Sequence, residues 1–135
     1  MDAAQALSDL TEISSQIEAA LVLDADGSAL ASTLDESRSE ELARTAQELL
    51  AAVGRVSGNG DKELAQLEIA TTDGSVFVVR DEHRTIAAIT GPEPTVGLVF
   101  YDLKSCLRSV ADEEKPKPKR MPRRQVEESG GDAPA

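Results

Sequence analysis

The residues of this chain best suited to chemistry lie in the stretch "ALVLDADGSALAST", where Asp24, Asp26 and Ser28 alternate through an acidic loop between two apolar runs. Oxygen ligands at positions one, three and five are how a calcium-binding EF-hand loop begins. Counted from Asp24, however, position six is Ala29 where that loop needs glycine, and position twelve is Asp35 where it needs glutamate. The flanks alternate like strands and do not repeat like helices. The simpler chemistry is that of a hairpin turn, in which aspartate side chains accept hydrogen bonds from local backbone amides and Gly27 supplies a positive φ. The other reactive types stand alone. His83, the only histidine, sits in "RDEHRT", which reads as a solvated turn, and Cys106, the only cysteine, falls on an apolar helical stripe as a small core residue. No nucleophile lies beside a base, no Cys or His cluster has the spacing of a zinc site, and no glycine-rich phosphate loop occurs. The sequence therefore predicts no catalytic residues, no metal and no cofactor: not an enzyme, and not itself a GTPase.

The elements that must position these residues follow from periodicity. Leu7, Leu10, Ile13 and Ile17 recur at threes and fours and predict a helix over 3–17. "AALVLD" and "SALAST" read as two strands joined at the Asp-Gly turn. A long helix follows, capped at Ser37 or Ser39, with Glu40 and Glu41 in its first turn and Gly58-Asn59-Gly60 as its stop. Its apolar face is Leu42, Ala46, Leu49, Leu50, Val53 and Val56, widened by Ala43, Ala51 and Ala52. Three more strands are expected in "ELAQLEIAT", "SVFVVR" and "TIAAIT", separated by "TDG" and "DEHR". The first alternates and reads as half exposed, with Leu67 and Ile69 on one face, whereas "VFVV" reads as covered on both. After Gly91-Pro92 and Pro94, a final helix carries Val96, Val99, Phe100, Leu103, Cys106, Leu107 and Val110 in a helical stripe. The order is α-β-β-α-β-β-β-α, an α+β fold with an antiparallel sheet sandwiched by helices. Profilin-like, GAF-like and roadblock folds all share it.

Composition limits the rest. A chain of 135 residues has room for one core, and with 2% aromatic residues that core is built from Leu, Ile, Val and Ala. Residues 1–111 carry 8 Lys/Arg and 19 Asp/Glu and residues 112–135 carry 6 of each, so the whole net charge of -11 sits in the first part. Such a body repels a phosphate backbone and lacks the aromatics on which bases stack, which argues against nucleic acid. The acidic N-terminus and the absence of an apolar run of about 18 residues predict a cytoplasmic protein with no membrane span. The expected division is a domain over 1–111 and a disordered tail over 112–135, where Lys115, Lys117, Lys119, Arg120, Arg123 and Arg124 interleave with prolines. That basic arm is either a solubilising segment or a contact for an acidic surface.

Taken together, "ALVLDADGSALAST", the Ala/Leu-rich helix, "LEIATTDGSVFVVRDEHRTIAAIT" and "VGLVFYDLKS" resemble the roadblock/LC7 family over residues 7–110. The resemblance implies a five-stranded antiparallel sheet with one helix on one face and two on the other, and usually a homodimer. It also implies partners: members commonly bind and regulate small Ras-like GTPases or serve as scaffolds, without catalytic residues of their own. The function expected is that of a non-catalytic homodimeric adaptor or regulator of a small Ras-like GTPase. The alternatives are a ligand-sensing GAF- or profilin-like module, disfavoured by the scarcity of aromatics and convergent polar groups, and a scaffold subunit without GTPase regulation. The expected dimer joins the edge strand over 63–71 and the helix over 40–56, with Leu42, Ala46, Leu49, Val53, Leu67 and Ile69 as interface. Arg44 and Arg55 on that helix, together with the six basic residues of the tail, are the candidate partner contacts.

Overall fold

The computed structural model describes residues 2–57 and 65–114. The chain forms α1 (Ala3–Ile13), β1 (Ile17–Leu23), β2 (Ala29–Ser32), α2 (Glu36–Ser57), β3 (Ala65–Ala70), β4 (Ser75–Arg80), β5 (Thr85–Thr90) and α3 (Val96–Glu114). The strands make one antiparallel sheet in the order β2-β1-β5-β4-β3. Among the described residues, no helix is long and apolar enough to cross a membrane.

Side-chain alternation along the strands sends two sets of apolar residues to opposite faces. Ile17, Ala20, Val22, Phe77, Val79, Ile86 and Ala88 meet Ala3, Ala6, Leu7 and Leu10 of α1 and Val99, Leu103, Cys106, Leu107 and Val110 of α3. Phe77 also packs edge-to-face on Phe100, with centroids 5.0 Å apart, so the two phenylalanines of the chain form one pair. The opposite face places Leu21, Leu23, Val78 and Ala87 against Leu42, Ala46 and Leu50 of α2. One helix thus covers one face and two cover the other. As read from "VFVV", β4 is covered on both faces: Phe77, Val78 and Val79 are fully buried.

Two helix boundaries differ from the expectation. The first helix begins at Asp2, whose side chain accepts from the Gln5 N–H at 2.8 Å, but it ends at Ile13 and does not reach Ile17. Ser14 takes an extended conformation while its N–H still closes onto the Leu10 carbonyl. Consecutive serines are weak helix formers, and pairing of Ile17 with Thr90 draws that residue into β1. Ile13 consequently lies 74% exposed, off the core. The second helix is capped by neither Ser37 nor Ser39. Asp35 accepts from the Arg38 N–H at 2.9 Å and does that work further upstream, close to the positive end of the helix dipole. Ser39 is buried inside the helix, where its hydroxyl meets that of Ser32 at 2.6 Å and ties α2 to β2. At the far end, Ser57 closes the described helix, and the expected stop at 58–60 lies outside the described residues.

The turns are fixed by their own polar groups. Asp24 Oδ1 accepts from the Asp26 and Ser28 amides, Asp26 Oδ1 accepts from the Ser28 amide at 2.9 Å, and Gly27 adopts φ 92°. A β-carbon at Gly27 would also collide with the Gln47 side chain of α2. The acidic loop is thus a hairpin turn between β1 and β2, pressed against α2. Thr71 closes the β3–β4 turn, and Asp81 closes the β4–β5 turn by accepting from the amides of His83 and Arg84, both at 2.8 Å.

Candidate functional site

The two faces of the sheet are covered unequally, and the less covered one holds the candidate site. The α2 helix lies chiefly over β1, β2 and β5, leaving the β4 and β3 side of that face partly open. There Leu67 pairs with Val78 and Ile69 with Val76, so successive inward positions of β3 and β4 stand side by side. Leu67, Val76 and Ile89 are half-buried, Ile69 is 41% exposed, and on the adjoining side of α2 Leu49 is half-buried while Val53 is 38% exposed. Leu49, Leu67, Val76 and Ile89 pack against the same buried cluster, and Ile69, paired with Val76, and Val53, one turn beyond Leu49, extend this apolar strip between the helix and the sheet edge. Beside it, β3 is hydrogen-bonded only to β4, so the outward backbone groups of the edge strand have no ladder partner among the described residues.

The expected interface residues divide on this surface. Leu42 and Ala46 are buried in the protomer's own core, 7% and 0% exposed, because they point straight at Leu21, Leu23 and Ala87. Leu49, Val53, Leu67 and Ile69 are the ones the fold brings together on the open strip, and Val76 and Ile89 join them, unflagged by sequence. No local pattern marks that pair, because "SVFVVR" and "TIAAIT" are apolar on both faces and only the position of the single helix on this side leaves Val76 and Ile89 half-covered. The strand itself is shorter than expected, Ala65–Ala70, with residues 63 and 64 outside the described residues. Arg44 and Arg55 lie exposed on α2. Lys115, Lys117, Lys119, Arg120, Arg123 and Arg124 lie outside the described residues, and α3 continues past Ala111 to Glu114.

The chemically reactive groups are placed as structural ones. Hydrogen bonds involving Asp24 and Ser28 hold the Asp26 carboxyl below the usual range and suit its role as a turn acceptor. Burial, with a smaller contribution from Asp9, pushes the Cys106 thiol up to about 11, which keeps it protonated and unreactive at neutral pH. His83 is exposed on its turn, 3.7 Å from Glu82. A cleft of about 240 Å³ opens between the middle of α2, at Gln47, Leu50 and Ala51, and the two hairpin turns that carry Asp24 and Asp81. Arg80 and Arg84 line it. Neither is marked by the sequence, since "VRDEHR" looks like a solvated turn until β4 and β5 are paired.

With this geometry in place, the kinship of the chain is plain. The Roadblock/LC7 domain family matches residues 3–90. In three dimensions the chain is similar to a Roadblock/LC7 domain from Streptomyces avermitilis, with a TM-score of 0.72 and 18% identity over 84% of this chain and 98% of that one. A second Roadblock/LC7 domain structure from that organism gives a TM-score of 0.63 and 20% identity, covering 78% of this chain and 94% of the other. The gliding protein MglB from Thermus thermophilus gives 0.62 and 16%, covering 82% and 86%. At these identities the structural likeness speaks for the fold alone. No curated protein sequence matches significantly. The family match spans well over half of the residues, and the chain belongs to the Roadblock/LC7 family.

Proposed function

We propose that the protein is a non-catalytic homodimeric adaptor that binds and regulates a small Ras-like GTPase. The observation that carries the reading is the open strip of Leu49, Val53, Leu67 and Ile69 running beside the unpaired edge of β3. An antiparallel edge pairs with its own copy across a two-fold axis, which satisfies the outward backbone groups and covers the apolar strip in one step. A monomer this small gains from the larger shared core. The paired α2 helices then present Arg44 and Arg55 on a broad two-fold surface, and family membership makes a Ras-like GTPase the partner of choice for it. The basic residues from Lys115 to Arg124 act as an arm for an acidic surface of that partner.

Light scattering on the full chain at micromolar concentration tests the dimer, with twice the 14.3 kDa chain mass as the expected result. Measured binding to small GTPases of the native cell, and their hydrolysis and exchange rates with and without the protein, test the regulatory half. Intact affinity and rates in the Arg44→Ala and Arg55→Ala variants would remove those positions from the contact. A protein that binds no GTPase but gains thermal stability from a small molecule would be a ligand sensor.

A further inference from the structure

The cleft beside α2 has no part in the proposed adaptor function, yet one of the charges that line it is left without a partner among the described residues. Arg80, the last residue of β4, lines it, and the Arg80 Nε is shielded from water with no hydrogen-bond partner. No ion pair to Arg80 occurs among the described residues. Acids are close at hand. Asp81 and Asp24 each hold two turn amides through Oδ1 and Glu82 lies 3.7 Å from His83, and none of these carboxylates comes within ion-pair distance of Arg80. Arg84 has an interaction of its own. In a body where 19 Asp/Glu outnumber 8 Lys/Arg over residues 1–111, a guanidinium left unpaired is not explained by a shortage of carboxylates. The shielded Nε fixes the cost of leaving this guanidinium unpaired, while its Nη groups, which also lack a partner among the described residues and are not shielded, are the donors that an arriving acceptor meets end-on.

The surroundings select the chemistry of that acceptor. Asp24, Asp81 and Glu82 all line the cleft, and their negative charge repels a phosphate dianion more strongly than a monoanion. A planar carboxylate matches the guanidinium fork in a two-bond arrangement, and Ala25, Leu50 and Ala51 offer apolar wall for a short carbon stem. The space suits a side chain and not a large cofactor. We propose that this cleft binds a carboxylate, the aspartate or glutamate side chain of a peptide segment, with Arg80 as its anchor. The Asp81 turn, which fixes the backbone of Arg84 and His83, holds the mouth of the cleft ready, and Arg84 adds positive potential.

The test uses the full chain labelled with nitrogen-15, following the arginine Nε–H resonances at constant ionic strength. Three probes are added separately: the capped peptide acetyl-Gly-Glu-Gly-amide, acetate, and inorganic phosphate. The expected result is a saturable shift of the Arg80 Nε–H with the peptide, reached at lower concentration than with acetate or phosphate. Arg80→Gln should weaken peptide binding by about tenfold or more, Arg80→Lys should weaken it less, and Arg38→Gln on α2 should leave it unchanged. Arg80→Lys carries the test if the glutamine variant fails to fold. Absence of a saturable shift, or unchanged affinity in both Arg80 variants, overturns the proposal. Tighter binding of phosphate overturns the carboxylate assignment, and equal binding of acetate and peptide overturns the peptide as source. None of these outcomes depends on dimerisation or on a GTPase.

Discussion

Replacing Ile69 separates association from folding more cleanly than any other single change. The side chain is 41% exposed in the protomer, on the open strip beside the edge of β3. Complete burial of an isoleucine stabilises by about 1.5–3 kcal/mol, so the part still to be covered on association is worth about 1 kcal/mol. A two-fold interface uses each residue twice, which brings the contribution to about 2 kcal/mol per dimer. Ile69→Ala should therefore raise the dimer dissociation constant by about 30-fold. Ile69→Asp places two unpaired charges in the same interface and should abolish the dimer at micromolar concentration. Sedimentation velocity across a dilution series reads the dissociation constant, and circular dichroism on the same samples verifies that the protomer remains folded. Leu50→Ala supplies the contrast: Leu50 is 6% exposed and belongs to the protomer core, so that change should cost about 2–5 kcal/mol of folding stability. A folded Ile69→Asp variant that dimerises as tightly as the native chain would refute the placement of the interface.

Other consequences are accessible to simple measurements. Gly27→Ala should destabilise by about 1–2 kcal/mol in denaturant titrations, since φ is 92° there and the new methyl must displace Gln47. Cys106 should resist iodoacetamide at neutral pH in the native protein and react once unfolded. Because its folded pKa is raised from 9.0 to about 11, the stability it contributes is present below pH 9 and lost as pH rises toward 11, so Cys106→Ala should flatten that decline. Removing residues 115–135 should leave the melting temperature nearly unchanged, because the apolar stripe of α3 ends at Val110, while weakening binding to an acidic partner and its salt dependence. A large loss of melting temperature would show that the tail packs on the domain.

Much of the fold is legible in the sequence because local chemistry and the global arrangement agree. The Asp-Gly hairpin, the "TDG" and "DEHR" turns and the stripe of α3 each carry a signal strong enough to stand alone. The misreadings arise where a local pattern had two continuations. Ile13 and Ile17 keep the helical spacing of Leu7 and Leu10, and only the pairing of Ile17 with Thr90 shows that the helix has already ended. Ser39 looks like a cap until Asp35, one turn upstream, is seen to accept from Arg38. The stripe of α2 identifies an apolar face but not which edge of it meets the sheet. Leu42, Ala46 and Leu50 turn to the core, and Leu49 and Val53 are left toward the open strip, because the helix sits chiefly over β1, β2 and β5. The Arg80 cleft was invisible for a similar reason. Its walls come from α2 and its rim from two separate hairpins, elements whose proximity no local spacing encodes.

The central claim is that two copies join through β3, and backbone amide hydrogen exchange at two concentrations tests it most directly. At a concentration well above the dissociation constant, the alternate outward amides between Ala65 and Ala70 should exchange slowly, and dilution should release them. The amides of β2, at the opposite edge, should exchange at the same rate in both samples. Exchange of the β3 amides that is fast and independent of concentration would contradict the account, as would concentration-dependent protection at β2 in their place.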